Sequence, residues 1–191
     1  CMLPYHLKNL VPKLPKLDRI FYESYIRCEK RILDILENNP SDYILRPVMR
    51  YKFGVEYPSD RMWSYLNKGF EYETMAKFMD IVLSSESNLT FSIINGWNNL
   101  TSKDVNSLHK FLKNIPVSRK GKLTILKLFR LVITPNSFLW GKYEIEKMMK
   151  IGPFILGYRG RLNKEQKYLN KISKEIIENF AKEKNYVVVH L

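Results

Sequence analysis

Residues 122–134 read Lys122-Leu-Thr-Ile-Leu-Lys-Leu-Phe-Arg-Leu-Val-Ile-Thr134. The fold class turns on this stretch. Leu123, Leu126, Phe129-Arg130 and Ile133 recur at the three- to four-residue spacing of a helix face. The β-branched end, Val132-Ile133-Thr134, suits a strand instead. The recurrence favours a helix.

Toward the C-terminus, Pro135-Asn136-Ser137 reads as the cap of another helix over 138–150, which Gly152-Pro153 ends. Phe154 to Leu162 reads as a strand carrying Arg159 and Arg161. Asn163 caps a last helix to about Glu183, and Tyr186 to Leu191 closes as a strand. Toward the N-terminus, Thr101-Ser102-Lys103-Asp104 opens a helix ending before Pro116, with Leu108, Phe111 and Leu112 on its apolar stripe. Asn88 to Asn95 is a short strand followed by the turn signal Asn95-Gly96. Pro58-Ser59-Asp60 starts a helical pattern that runs to about Leu83, with a break near Gly69. Residues 43–57 alternate as a strand, which Pro47 places at an edge or a bulge. Residues 17–38 read as the first helix.

The first sixteen residues hold Pro4, Pro12 and Pro15, with Lys8, Lys13 and Lys16 among Leu7, Leu10, Val11 and Leu14. Proline removes donors and breaks helices, so residues 1–16 are predicted to be an extended arm. Its leucines suit docking on its own domain or on a neighbouring subunit, the second giving a homo-oligomer. With 122–134 helical, the order is α-β-α-β-α-α-α-β-α-β. That predicts one α+β domain over 17–191, helix-dominated, with a small, mostly antiparallel sheet.

Charge says more about function than any motif. The chain has a formal net charge of +13 over its 191 residues. Residues 113–191 hold seventeen Lys/Arg against six Asp/Glu, and residues 31–112 hold nine against ten. A field of one sign repels itself, so a basic surface is best explained by an anionic partner. Three clusters carry it. The first runs from Lys113 through Arg119-Lys120-Gly121-Lys122 to Lys127 and Arg130, with no acid among them. The second is Tyr158-Arg159-Gly160-Arg161, where glycine lets a ligand approach the backbone and Tyr158 offers a ring for stacking. The third is Lys164, Lys167, Lys171 and Lys174, one stripe of a helix. Each Lys or Arg that neutralises a phosphate adds to the salt dependence of binding.

Chemical motifs are missing. His6, His109 and His190 lie far apart and never take zinc-ligand spacing, so no metal site is expected. The glycines form no phosphate loop, and no cofactor is expected. Cys28 sits in a helical pattern and reads as a small buried apolar residue. No apolar run is long enough to cross a bilayer. A non-enzymatic role is therefore favoured. The enzymatic alternative is a metal-dependent nuclease or nucleotidyl-transfer enzyme whose acids, Asp42, Asp60, Glu71, Glu73 and Asp80, meet only in the fold.

Gly152-Pro-Phe-Ile-Leu-Gly-Tyr-Arg-Gly-Arg-Leu162, followed by a helix and a terminal strand, resembles the C-terminal order of rhabdovirus-type matrix proteins. Arg161-Leu-Asn-Lys-Glu-Gln166 before an amphipathic helix is similar to a stretch of bornavirus-type matrix proteins. The resemblance implies a self-associating viral structural protein that binds RNA or nucleocapsid, or an anionic membrane, and that resides in cytoplasm, nucleus or virion. It departs from that family in having no Pro-Pro-x-Tyr motif and a less lysine-rich arm. The alternative is a nucleic-acid-binding module with no membrane function. Apolar side chains exposed beside lysines would favour membrane, with the arm and Trp140 near Lys142 as the places to look.

Overall fold

Thr124–Arg130 is a strand, β4, and it sits inside a parallel sheet. The computed structural model describes residues 4–15, 22–38, 49–85, 87–115, 124–151, 153–184 and 186–190. In chain order the elements are α1 (Pro4–Asn9), a 3-10 turn (Val11–Lys13), β1 (Tyr22–Tyr25), α2 (Lys30–Asn38), β2 (Met49–Glu56) and α3 (Asp60–Tyr65). Then come α4 (Tyr72–Ser84), β3 (Asn88–Asn95), α5 (Ser102–Asn114) and β4. The chain closes with β5 (Ile145–Ile151), β6 (Phe154–Gly160), α6 (Lys164–Glu183) and β7 (Val187–His190).

The main sheet has five strands in the order β1-β2-β3-β4-β7, every neighbouring pair parallel. Each connection therefore steps the same way across the sheet. Right-handed crossovers then put all the connecting helices on one face. The core agrees. Tyr51, Phe53 and Val55 of β2, Leu89, Phe91 and Ile93 of β3, and Leu126 and Leu128 of β4 form one buried cluster with residues of every helix. Phe53 meets Phe78 of α4 edge-on at 5.0 Å between ring centres, and Phe91 meets Tyr186 at 6.0 Å. Each fully buried side chain of this size stabilises the fold by about 1.5–3 kcal/mol. The alternate residues of β2, Arg50, Lys52, Gly54 and Glu56, face away from the helices and are only partly buried.

The expected α+β class with a small antiparallel sheet is thus corrected to α/β. The antiparallel pairing is confined to a separate hairpin, β5–β6. Three misread segments explain the difference. Residues 122–134 show helical spacing, but β4 pairs on both sides, with β3 and β7. Apolar Ile125 and Phe129 therefore fall on its outer face and blur the alternation. Residues 138–150, read as a helix, form turns and then β5. Tyr22–Tyr25, read as the start of the first helix, is the edge strand β1. The arm is corrected too. Residues 4–13 are helical rather than extended, and Leu7 and Val11 are fully buried in the core of their own chain. Proline fits because Pro4 opens α1 and Pro12 lies at the start of the 3-10 turn, where a missing N–H costs nothing. Pro47 lies outside the described residues.

Two polar clusters lock helices to the carboxyl end of the sheet. Asp104 of α5 is buried, and its carboxylate accepts hydrogen bonds from Ser59 Oγ (2.5 Å), Arg61 Nε (3.0 Å) and the Thr101 amide (2.8 Å). Thr101 and Asp104 form a reciprocal capping box, so α3 and α5 share one anchor. On α6, Asn170 satisfies its whole amide. Its Oδ1 accepts from the Gly96 (2.6 Å) and Trp97 (3.1 Å) amides, and its Nδ2 donates to the carbonyls of Trp97 (2.8 Å) and Gln166 (2.7 Å). Gln166 pairs in both directions with the backbone of Leu100.

Burial pushes the Asp104 carboxyl up, but the hydrogen bonds from Arg61, Ser59 and Thr101 together outweigh it and hold it below its ordinary value of 3.8. A carboxyl lowered in the folded state stabilises the fold above its unfolded pKa. That contribution disappears as pH falls through the lower folded value. Asp104→Ala is expected to cost about 2–4 kcal/mol in urea unfolding at neutral pH, discounted because Arg61 is half exposed. The difference from the unsubstituted chain should shrink as pH drops below the carboxylate range. A difference under about 0.5 kcal/mol at neutral pH would contradict the anchor.

Candidate polyanion-binding site

The carboxyl ends of β3, β4 and β7 meet one side of α6. Between them lies a groove of about 440 Å³, whose lining includes Asn95, Arg130, Lys167, Lys171, Lys174 and His190. Open α/β sheets usually bind ligands where the strand order reverses. Here the order never reverses, and the groove is made instead by α6 standing against the strand ends. Asn170 and Gln166 fix α6 there, so the lysine stripe one turn away is held on a rigid element. Asn95 Nδ2 adds a hydrogen bond to the Asn170 carbonyl at 2.9 Å. Lys171 and Lys174 approach Glu175 and Glu178 at 3.8 and 3.7 Å, all partly or mostly exposed. Such pairs contribute about 0.3–0.5 kcal/mol each, too little to withhold a lysine from a phosphate.

The hairpin extends the basic surface. Tyr158 exchanges backbone hydrogen bonds with Ile133, both at 2.8 Å, tying β6 to the segment after β4. Gly157 makes this docking possible. It adopts φ +148, and an added Cβ would lie 2.5 Å from Val132 Cγ1 and 2.7 Å from the Ile133 carbonyl oxygen. The docking sets Arg159 near Arg130. Burial and the neighbouring Arg130 charge both disfavour the Arg159 cation, and Glu146 only partly offsets them. Arg159 Nε is buried without a hydrogen-bond partner. In the hairpin register Lys147 is directly opposite Arg159. Like charges directly opposite are destabilising, so Arg130, Arg159 and Lys147 form a cationic knot that an anion would relieve.

The predicted residues divide as follows. Arg130, Lys167, Lys171 and Lys174 come together in the groove, with Arg159 beside Arg130. Lys164 is exposed in the first turn of α6, outside the groove lining. Arg161 is exposed and pairs with Glu144 at 2.7 Å. Tyr158 packs on Trp140 at 5.3 Å between ring centres and holds the hairpin in place. Lys127 lies on the helix-free face of the sheet, opposite Ser92 in register. Arg119, Lys120 and Lys122 lie outside the described residues. Lys147, Asn95 and Asn170 were not singled out by sequence. Lys147 gains its meaning only from the antiparallel register with Arg159, which needs β5 to be recognised as a strand.

The acids of the enzymatic alternative meet only in part. Asp60, Glu71 and Glu73 line a second depression of about 790 Å³ with Lys110. Asp60 Oδ1 accepts the Tyr72 amide at 2.9 Å, so it caps the start of α4. Asp80 lines a different, smaller recess, and Asp42 lies outside the described residues. Among the described residues no three His, Cys, Asp or Glu side chains gather as metal ligands, and no helix is long and apolar enough to cross a membrane. Cys28 is buried, and burial pushes its thiol up to about 12, far from a reactive thiolate.

No protein-family model matches the chain, and no curated protein is significantly similar to it.

Lys147→Glu replaces a cross-strand repulsion by an attraction. It is expected to raise thermal stability at low ionic strength, by about 0.2–1 kcal/mol, and to lose that gain in high salt. Destabilisation at low salt would contradict the knot.

Proposed function

We propose that the chain is a non-enzymatic polyanion-binding protein that takes the phosphates of a nucleic acid, RNA foremost, along the track from Lys174, Lys171 and Lys167 through Arg130 to Arg159 and Lys147. The observation that carries this reading is the cationic knot. Arg159 lies near Arg130, Lys147 is its directly opposite partner across the hairpin, and the buried Arg159 Nε has no hydrogen-bond partner. A surface kept basic for solubility alone would spread such charges rather than oppose them. Arginine also presents a planar fork that suits phosphate oxygens.

The test is fluorescence anisotropy with a labelled RNA of about 20 nucleotides, titrated from about 50 to 200 mM salt. Six phosphates, one for each cation of the track, give an expected log–log slope of about −4 for a single strand. Arg130→Glu combined with Lys171→Glu should weaken binding at least tenfold and flatten the slope. Lys103→Glu, on α5, should change nothing. Salt-independent binding, or binding indifferent to Arg130 and Lys171, would overturn the reading.

A second reading, an anionic membrane surface, is favoured by the hairpin. Phe154, Ile155 and Leu156 at its tip are 73%, 54% and 45% exposed, with Lys150 opposite Ile155. Trp140 is also exposed, whereas Leu7 and Val11 of the former arm are buried and unavailable. A self-associating, matrix-like structural role belongs with this second reading, since it calls for both contacts. Flotation with phosphatidylserine vesicles, and a blue shift of Trp140 emission lost in Phe154→Ser/Ile155→Ser, would select it. Tight RNA binding without flotation selects the nucleic-acid module.

A further inference from the structure

An all-parallel sheet is normally covered on both faces. Here every helix packs on one face, and among the described residues no helix lies on the other. The same layout, sequential parallel strands with helices on one side, occurs in α/β solenoids, where the bare sheet face is the ligand surface. On this face the register places Tyr25 beside Lys52 and Thr90, and Ser92 beside Lys127, with Ile94 and Phe129 one step further along. Tyr25, Lys52, Ser92, Ile94, Lys127 and Phe129 line a trough of about 280 Å³. Tyr25 is 63% exposed, although aromatic rings are costly to leave in water. Thr90 is also in the trough, and its buried Oγ1 has no hydrogen-bond partner.

The charges on this face differ in kind from those of the groove. Glu23 holds both Arg50, at 2.9 Å, and Lys52. Glu56 holds Lys68 at 2.6 Å. Lys127 makes no ion pair among the described residues. Two carboxylates in the surface would repel a phosphate chain, so the face does not suit a polyanion. Its aromatic and aliphatic side chains, Tyr25, Ile94 and Phe129, are of the kind that fill the centre of a protein–protein contact, and beside them stands Lys127, which makes no ion pair among the described residues.

We infer that this sheet face docks a segment of a protein partner, with an apolar anchor in the trough between Tyr25 and Phe129 and an acidic residue beside it on Lys127. The anchor is a leucine or an aromatic side chain. Its neighbour is Asp or Glu, because Lys127 makes no ion pair among the described residues, the trough's own Glu56 being held by Lys68. This surface is separate from the phosphate track and does not rest on the nucleic-acid reading.

The probe is a random peptide library displayed on phage and selected against the full chain, with selected peptides synthesised and titrated individually. The expected peptides carry Leu, Phe, Tyr or Trp next to Asp or Glu. Ser92→Trp, which fills the trough, should weaken them at least tenfold, and Lys127→Glu at least fivefold. Arg130→Glu/Lys171→Glu should leave them unchanged. Thermal unfolding checks each variant, and if Ser92→Trp fails to fold, the surface change Lys127→Glu decides. No selected peptide, or peptides indifferent to these changes, would overturn the inference. So would loss of RNA binding in the folded Ser92→Trp or Lys127→Glu variant, which would assign the face to nucleic acid. Dissociation of a dimer of the unsubstituted chain by either change would assign it to a second copy, and overturn it likewise.

Discussion

The structure depends on one topological constraint. Five parallel strands follow one another in sequence order with no reversal. Right-handed crossovers then leave no choice about where the helices go. They share one face and one core, from Leu7 near the N-terminus to Ala181 near the end of α6. Both proposed surfaces are positioned by that choice. The helix-covered face supplies stability, and α6 stands at the strand ends to make a groove. Among the described residues the opposite face carries no helix.

Electrostatics add the second layer. The stabilising charges are the answered ones. Asp104 is buried among Arg61, Ser59 and Thr101, and Glu23 sits between Arg50 and Lys52. The track from α6 to the hairpin has the opposite character: its lysines have only loose, exposed partners in Glu175 and Glu178, and Arg159 lies near Arg130 with Glu146 only partly offsetting the repulsion. A protein tolerates such repulsion where a ligand removes it, and the stability gained by relieving it with an acid should come at the expense of binding. The two surfaces are thus sorted by chemistry, one strongly cationic and one mixed.

Part of the candidate site was legible in the sequence, and less of the fold. The α6 stripe could be read because Lys167, Lys171 and Lys174 follow helical spacing and Asn163 caps the helix as expected. Arg130 and Arg159 could be read as basic, but not as neighbours, because a bridge between Ile133 and Tyr158 brings them together. The strand β4 was hidden for a physical reason. It is flanked on both sides and carries apolar residues on both faces, so its period of two is overlaid by leucines at helical spacing. Residues 138–150 were hidden because β5 is mostly exposed, and the alternation of a half-buried strand has no core to impose it. Without those two strands, the parallel order and its bare face could not be deduced.

The central claim is that polyanions bind where α6, the end of β4 and the hairpin converge. Amide and side-chain chemical-shift mapping of the full chain, with a short RNA at low salt, tests it most directly. Shifts concentrated at Arg130, Lys147, Arg159, Lys167 and Lys171 are the predicted result. Shifts centred instead on Lys77, Lys103 and Lys110 of the helical face, or spread evenly over all exposed lysines, would contradict it.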